Sequence, residues 1–408
     1  MTQVTAGSGP VSEVTGNSFP RLWQLPAKAG AIVAVLTPGA LYLAVRQFAV
    51  LVLEWMAGAN RMSAGSALLS WDGQWYLALA EHGYDGVGPG LVDAFHRRSA
   101  ETPLAFFPGY PVLVRVLSEL PGVGLVSGAL AVSVVAGVVC SYGLVRLGQR
   151  ISEQFGNRFT GRRLGLVLVV LFASSPMAVV LSMAYSEALF CALAVWALVM
   201  VVERHWLSAG VLCALAGLVR PSAAAVVAAV GVAAVIAIVR REDGWRPWAA
   251  AVIAPSGLAG YLAWVASRTG EWGGWFALQQ RGWDSRFDGG AATLRFSVNA
   301  LVSGRSVLEV ATVVLLVAAI VLFALGVAQK LPVPLLVYAA VLMLMDYASN
   351  GLMSSKLRLL LPAFVLLVPI AVGLAKRRTG TVVGVLVAVA SLSAWFGAYA
   401  ITSWAYAI

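Results

Sequence analysis

Long apolar runs recur along nearly the whole chain, and they restrict its possible folds more than any other feature. Each run covers about 18 to 25 residues, the length that an α-helix needs to cross roughly 30 Å of hydrocarbon. The runs do not have the alternating pattern of about ten residues that an outer-membrane barrel requires. Of the 408 residues, 60% are hydrophobic and 11% are charged, which excludes an ordinary soluble domain. The sequence therefore predicts an all-α polytopic membrane protein.

Eleven candidate membrane spans follow from these runs. They are predicted at 30–55, 122–145, 164–183, 187–203, 207–219, 221–239, 247–267, 306–326, 331–348, 359–375 and 380–402. The first 29 residues are polar and lack the compact regions of a signal peptide. We therefore expect a disordered cytoplasmic tail over 1–29 and a single transmembrane domain over 30–408.

Basic residues concentrate in alternate loops between the spans. With a cytoplasmic amino terminus, the inside loops hold 15 of the 28 basic residues and five of the 18 acidic residues. The positive-inside rule thus predicts this orientation in the plasma membrane. The net charge of +10 is explained by these scattered loop residues, so nucleic acid is not an expected partner.

Three segments predicted to lie outside the membrane carry most of the remaining polar chemistry. They are 59–121, which we expect to be a catalytic loop, 268–305 and 346–358. Within 66–82, SALLSWDGQWYLALAEH, apolar residues recur every three or four positions, which predicts an amphipathic helix on the membrane surface. A second such helix is predicted at 109–120. The polar, glycine-rich loop between them, 83–102, is a candidate mobile lid.

Asp72 lies in the first of these helices between two tryptophans, and Tyr76 shares its face four residues later. One interpretation is a solvated interfacial residue or a helix cap. The other is a carboxylate that the aromatic anchors hold at the edge of the bilayer, where it meets the headgroup of a lipid substrate. Position alone leaves both interpretations open.

Several charges fall where a membrane makes them costly. Arg220 follows a short apolar stretch and precedes Pro221, and Glu187 begins the fourth span on the same side. These two residues are either a structural ion pair or part of a site. Lys356 and Arg358 open the tenth span from outside, either as a solvated helix start or as a phosphate site. Arginine binds phosphate in a planar fork, and lysine binds it as a point charge.

No metal or other cofactor is predicted. The chain contains neither a DxD triplet nor a close cluster of histidine and aspartate residues. Its three cysteines lie inside apolar runs, where a thiol is usually a small packing residue. Catalysis by this chain is therefore expected to be independent of metal.

Five motifs, in order and spacing, resemble those of the PIG-V-like polyprenyl-phosphate-mannose-dependent mannosyltransferases. This group of the GT-C superfamily contains GPI mannosyltransferase II. The motifs are WDGQWYLALAEHGY (71–84), AFFPGYP (105–111), SPMAVVLSMAYSEALF (175–190), GLVRPS (217–222) and KLRLLLP (356–362). They cover most of residues 30–375, but neither the last span nor the 268–305 loop is matched. Pro221 and Ser222 depart from the eukaryotic pattern, which tends to have an asparagine nearby, so the acceptor is left open.

The resemblance implies a GT-C-like bundle whose first external loop carries the catalytic carboxylate, here Asp72. It also implies a polyprenyl-phosphate-mannose donor and transfer with inversion to a glycolipid or related acceptor. Since polyprenyl phosphate is a good leaving group, the enzyme needs cations for the phosphate and a general base for the acceptor hydroxyl. We assign the role of base to Asp72.

Seven further side chains are hypothesised to bind the substrates. The candidates for the donor phosphate are Arg220, Lys356 and Arg358, and the other substrate-binding candidates are Tyr76, Tyr84, Tyr110 and Glu187. Tyr76 would orient the base, and Glu187 would either hold Arg220 or bind sugar hydroxyls. For Tyr84 and Tyr110, packing in the membrane interface is the competing interpretation.

Two other functions remain open. A transporter or flippase for lipid-linked glycans would also contain buried arginines and a large external cavity. Such a protein should have matched broken helices, whereas the sequence has one clear break, at Arg220–Pro221. The second alternative is a GT-C enzyme that transfers another sugar or uses a protein acceptor.

Overall fold

The computed structural model describes residues 27–304 and 306–404, which fold almost wholly into helices. The α-helices in these ranges are α1 (Ala27–Ala59), α2 (Ala64–Leu68), α3 (Asp72–Gly86), α4 (Gly109–Ser118), α5 (Leu125–Ser152), α6 (Gly161–Ala173), α7 (Glu187–Val202), α8 (Trp206–Gly217), α9 (Ala223–Val239), α10 (Arg246–Ile253), α11 (Ser256–Thr269), α12 (Gly274–Trp283), α13 (Ala291–Ser303), α14 (Val307–Ala328), α15 (Val333–Tyr347), α16 (Lys356–Leu360), α17 (Val368–Ala375) and α18 (Thr379–Thr402). Short 3₁₀ helices occur at Thr102–Ala105, Glu153–Arg158, Ala178–Ser182, Met353–Ser355 and Phe364–Leu367. No β-strand occurs in the described ranges, where one isolated bridge pairs Phe287 with Ser349. The predicted all-α class is confirmed.

The chain divides into two units within α1, at residues 1–37 and 38–408. The predicted tail, 1–29, lies outside the described residues except for its last three, which belong to α1. The packed core and the candidate site both lie in the second unit.

Five helical segments in the described ranges are long and apolar enough to cross a membrane. They are Gly30–Ala59, Leu125–Phe155, Arg246–Thr269, Val307–Ala328 and Thr379–Thr402. A sixth is broken, because Met353–Leu360 and Phe364–Ala375 are bent by 72° relative to each other. The helices α7, α8, α9 and α15 are apolar but shorter. The bundle agrees with the predicted architecture, while the count of eleven spans stays a prediction.

Glycines allow the helices around α7 to pack closely. A Cβ on Gly148 of α5 would lie 2.6 Å from the Cα of Gly165 in α6, so this approach requires glycine. A Cβ on Gly143 would lie 2.5 Å from Cγ1 of Val195 in α7. Since lipid tails provide no hydrophobic force between helices, small residues that permit close van der Waals packing hold such bundles together. These glycines therefore bring α5 close to α6 and to the middle of α7.

The first external segment contains a helix break that the sequence pattern does not predict. α2 ends at Leu68 and α3 begins at Asp72, so the prediction of one continuous helix over 66–82 is wrong. Trp71 at the break has φ 52° and ψ −115°, a conformation that residues with a side chain rarely adopt. Asp72 thereby becomes the first residue of α3, where the helix dipole favours a carboxylate.

The second predicted surface helix is confirmed as α4. Tyr110 and Val114 are buried, whereas Leu113 is 41% exposed. An apolar side chain that the protein leaves uncovered at this depth is expected to face lipid. α4 therefore has one face toward the protein and another available to the membrane.

The candidate lid, 83–102, contacts the second external segment through ion pairs. Arg268 at the end of α11 pairs with Asp85. Nη2 of Arg281 in α12 lies 3.4 Å from a carboxylate oxygen of Glu101. Ion pairs therefore join the two segments that the sequence predicts to be external, and we call the joined segments the cap.

Candidate active site

Asp72 and Arg358, 286 residues apart in the sequence, form an ion pair. Nη1 of Arg358 donates a hydrogen bond to Oδ2 of Asp72 at 2.7 Å. The first turn of α3 supplies the carboxylate, and α16 supplies the guanidinium. The Asp72 side chain is 21% exposed and the Arg358 side chain is 11% exposed. The pair is thus sheltered, yet the carboxylate remains accessible.

A second ion pair lies directly beside the first. Glu187 is the first residue of α7 and is fully buried, and Nη1 of Arg220 lies 2.7 Å from its Oε1. The same oxygen lies 3.6 Å from Nε of Arg358. Glu187 therefore links the two arginines, so two carboxylates balance two guanidinium groups, as buried charges require. We call Asp72, Glu187, Arg220 and Arg358 the charge cluster.

Ser186 connects the charge cluster to Tyr76, and sequence reasoning missed it. Its Oγ accepts a hydrogen bond from Nη1 of Arg220 at 3.0 Å and lies 2.8 Å from the Tyr76 hydroxyl, with which it is hydrogen-bonded. Burial raises the pKa of Tyr76 to about 12, so this hydroxyl stays protonated at neutral pH. Tyr76 thus lies next to the charge cluster with Ser186 as its partner, and its predicted role in orienting Asp72 stays a prediction.

Tyr185 also supports the charge cluster and was missed from the sequence. Its hydroxyl oxygen accepts the backbone N–H of Asp72 at 3.3 Å. Its ring centroid lies 5.4 Å from the Arg358 guanidinium carbon, within the range of a cation–π contact. Tyr185 and Ser186 directly precede Glu187 in the AYSEALF stretch, and this position is the sequence feature that could have indicated them as neighbours of the site.

The loop that carries Arg220 is held by close contact with α4. α8 ends at Gly217 and α9 begins at Ala223, and between them the carbonyl of Leu218 accepts a hydrogen bond from Gly109 N–H at 2.7 Å. A Cβ on residue 109 would lie 2.8 Å from that carbonyl oxygen, so this approach requires glycine. The AFFPGYP and GLVRPS motifs are therefore in direct contact.

Tyr84 and Tyr110 have the contacts of packing residues. The Tyr84 hydroxyl donates to the carbonyl of Phe106 at 2.7 Å, and the Tyr110 hydroxyl donates to the carbonyl of Ala129 at 2.8 Å. Burial raises the pKa of both hydroxyls, so both are protonated donors at neutral pH. Sugar binding by these two residues stays a prediction.

Lys356 lies two residues from Arg358 but makes different contacts. Its ammonium donates to the backbone carbonyls of Asp346 and Ser349, the latter at 2.6 Å, and the residue is 1% exposed. Residues two apart on an α-helix project about 200° apart around its axis. The Lys356 ammonium therefore caps carbonyls at the end of α15, and its predicted phosphate role stays a prediction.

An apolar groove of about 560 Å³ lies beside α16. Residues of α6, α14, α16 and α18 line it, and Leu357, Leu360 and Leu361 are the leucines at α16. The same short helix therefore faces this groove and, through Arg358, the charge cluster.

The described residues offer no evident metal site. Across residues 27–304 and 306–404, no group of three or more His, Cys, Asp or Glu side chains is placed to hold a metal ion. The two carboxylates of the charge cluster, Asp72 and Glu187, each pair with an arginine. Metal-independent catalysis stays a prediction.

Charged residues at the far end of α7 mark the other side of the bundle. Arg146 and Arg150 both contact Oε1 of Glu203, at 2.6 and 2.7 Å. Glu203 directly follows α7, so it lies about 24 Å from Glu187 at a rise of 1.5 Å per residue. The sequence predicts these two arginines in a cytoplasmic loop, whereas the structure places them in the last turns of α5; the charge cluster lies toward the opposite end of α7.

Solved structures of similar architecture are membrane glycosyltransferases. ArnT from Cupriavidus metallidurans bound to undecaprenyl phosphate matches with a TM-score of 0.52 and 14% identity, covering 89% of this chain and 63% of that chain. The apo state of the same ArnT gives a TM-score of 0.48 and 14% identity, with 89% and 62% covered. The apo oligosaccharyltransferase of Archaeoglobus fulgidus gives 0.48 and 13% identity, with 89% and 56% covered.

The chain therefore shares the fold of ArnT, in agreement with the predicted GT-C-like bundle. It spans 63% of the length of the ArnT chain that it matches. No protein-family model matches the sequence, and no curated protein matches it. Assignment to the PIG-V-like subfamily thus stays a prediction.

Proposed function

We propose that this protein is a membrane glycosyltransferase that moves mannose from a polyprenyl-phosphate carrier to a glycolipid or related acceptor. One observation supports the proposal most directly: α16 carries Arg358 against Asp72 and has leucines in the apolar groove. A candidate base, a cation for phosphate and the apolar groove therefore lie at one short helix, α16. A sugar donor with a phosphate and a long isoprenoid chain requires this combination.

Arg358 and Arg220 are the proposed ligands of the donor phosphate. Glu187 contacts both guanidinium groups, so they are oriented before the donor arrives. A preorganised cationic or hydrogen-bonding group that meets developing charge is worth roughly 3 kcal/mol in catalysis. ArnT was solved with undecaprenyl phosphate bound, which supports a lipid phosphate as the ligand of this fold.

Asp72 is the general base of the proposed reaction. The acceptor oxygen attacks the anomeric carbon, and its proton passes to the Asp72 carboxylate. The bond between the anomeric carbon and the phosphate oxygen breaks, and its electron pair leaves with the phosphate. With a β-linked donor, this single displacement gives an α-mannoside. The phosphate departs without a general acid because Arg358 and Arg220 stabilise its charge.

Mannose and the glycolipid acceptor rest on the motif resemblance. The same charge cluster would serve a GT-C enzyme that transfers glucose or arabinose, or one with a protein acceptor. These alternatives change the groups around the sugar and leave the roles of Asp72 and Arg358 the same.

A transporter or flippase for lipid-linked glycans is the second candidate, and the helix breaks favour it. The sequence indicates one break, at Arg220–Pro221, and the structure has another near Pro362, where the bend is 72°. Broken helices often form the substrate sites of transporters. A transporter would move the lipid across the bilayer without consuming it.

A transfer assay separates the two functions. The protein, purified into lipid nanodiscs, is incubated with polyprenyl-phosphate-linked mannose, glucose or arabinose and with candidate glycolipids, and the products are identified by mass spectrometry. We expect a mannosylated acceptor and an equal amount of free polyprenyl phosphate. Intact donor in every incubation, together with lipid flipping in proteoliposomes, would reject the enzyme and support the transporter.

A further inference from the structure

Arg358 forms an ion pair with Asp72, the carboxylate that the proposed reaction needs as its base. Its Nη1 donates to Asp72 Oδ2 at 2.7 Å, and the pair is largely shielded from water. An oxygen held by a guanidinium in this way must give up that hydrogen bond before it can turn to another donor. The candidate base and the candidate phosphate-binding cation therefore pair with each other in this arrangement.

Arg358 has other supports that would hold it in place without Asp72. Its Nε lies 3.6 Å from Oε1 of the fully buried Glu187, and its guanidinium lies against the Tyr185 ring at 5.4 Å. The guanidinium can therefore take a phosphate as a partner while Glu187 and Tyr185 fix its position.

We propose that the Asp72–Arg358 pair is a latch that the donor opens. The donor phosphate engages the Arg358 guanidinium, the contact with Asp72 is given up, and the freed carboxylate turns to the acceptor hydroxyl. The donor must then bind before the acceptor can be deprotonated. This inference rests on the proposed function, because it assigns Asp72 as base and Arg358 as a phosphate ligand.

The latch predicts how the Asp72 charge affects phosphate binding. A latch that is closed in about nine of ten free molecules lowers the apparent affinity for the phosphate about tenfold. Asp72→Asn removes the negative charge that holds the latch closed, so it should tighten the binding of undecaprenyl phosphate about tenfold in nanodiscs. Undecaprenol, which lacks the phosphate, should bind equally to both proteins.

A double-mutant cycle distinguishes the latch from simple repulsion between Asp72 and the phosphate. If Arg358 mediates the effect, Asp72→Asn should bring no gain in an Arg358→Gln background. An equal gain in both backgrounds, or no gain in the native one, would overturn the latch. Asp72→Ser and Arg358→Met are the replacements if either first choice does not fold.

Asp85→Asn is the matched control. Asp85 also pairs with an arginine from a distant helix, but that arginine is Arg268, at the exposed cap. This variant should bind undecaprenyl phosphate like the native protein. Sugar transfer is measured on the same samples, so that the latch and the role of Asp72 as the base are tested separately.

If Asp72→Asn loses transfer but binds undecaprenyl phosphate with unchanged affinity, the latch alone is rejected. If Asp72→Asn retains transfer, Asp72 is rejected as the base.

Discussion

The charge cluster explains how single ionised side chains persist inside this membrane protein. Glu187 is fully buried, and it is tolerated because two guanidinium groups, those of Arg220 and Arg358, share one of its oxygens. Removing one member of a buried ion pair typically costs about 3–5 kcal/mol, because the remaining charge is left without a partner. Function and stability are therefore difficult to separate at these residues.

Function and stability can be separated at Lys356, because its ammonium contacts the carbonyls of Asp346, in α15, and of Ser349, just after it. We predict that Lys356→Met lowers the free energy of unfolding by about 1–3 kcal/mol, because two buried carbonyls lose their donor. The KM for the donor should stay within about twofold of the native value. Thermal unfolding in detergent and steady-state kinetics measure the two quantities.

The control for this change is Lys330→Met, at an exposed lysine in a turn after α14. It should leave both quantities unchanged. A more than tenfold rise in donor KM with unchanged stability would instead support the phosphate role predicted for Lys356 from the sequence.

The sequence could indicate the charged residues of the site but not their partners. Glu187, Arg220 and Arg358 stand out in the sequence because a charge in or beside an apolar run is costly and needs a reason. Asp72 stands out as a carboxylate between two tryptophans, and its role as the base comes from the motif resemblance. Ser186 is neutral and carries no such cost, so its hydrogen bonds became visible with the fold alone. Each role in catalysis stays a prediction.

At the scale of helices, apolar spacing predicted where elements lie better than where they end. Leu68, Trp71 and Trp75 continue one helical pattern, yet the helix is interrupted at Trp71, where φ is 52°. The spacing of apolar residues does not change at this break, so the pattern could not indicate it. Lys356 and Arg358 were grouped because they are neighbours in sequence, but the phase of α16 directs them to different partners.

The contact between α4 and the loop after α8 gives the element-scale prediction. Gly109→Ala would push a Cβ to within 2.8 Å of the Leu218 carbonyl oxygen and displace the loop that carries Arg220. We expect transfer activity to fall at least about tenfold, since small misplacements of catalytic groups have large effects on rate. Circular dichroism should show unchanged helix content.

Gly88→Ala is the matched control in the same external segment, because a Cβ at residue 88 would meet no atom within 4 Å. It should retain native activity. Native activity in Gly109→Ala would mean that this contact does not position the site.

At the scale of the whole molecule, charges at the two ends of α7 suggest which side faces the cytoplasm. The arginines near Glu203 lie in the last turns of α5, close to a loop that the positive-inside rule predicts to be cytoplasmic, and the charge cluster lies at the other end of α7. The site therefore should face the outside of the cell, where the first external segment covers it. This orientation remains a prediction.

Cysteine labelling in intact cells tests the orientation. The native cysteines, Cys140, Cys191 and Cys213, are buried, so a membrane-impermeant maleimide should react with introduced thiols alone. We expect Gly88→Cys to be labelled in intact cells and Arg240→Cys to be labelled after the cells are opened. The reverse result would put Asp72 on the cytoplasmic side.

The central claim is that Asp72 accepts the proton of the acceptor hydroxyl. The most direct test is the single-turnover rate of sugar transfer from a polyprenyl-phosphate donor by Asp72→Asn, in protein shown to be folded and loaded with donor. Because a positioned base contributes about 10²–10⁴-fold, we predict a fall of at least about 100-fold, with Asp85→Asn unaffected. A loss of less than about tenfold in Asp72→Asn would contradict the assignment of Asp72 as the base.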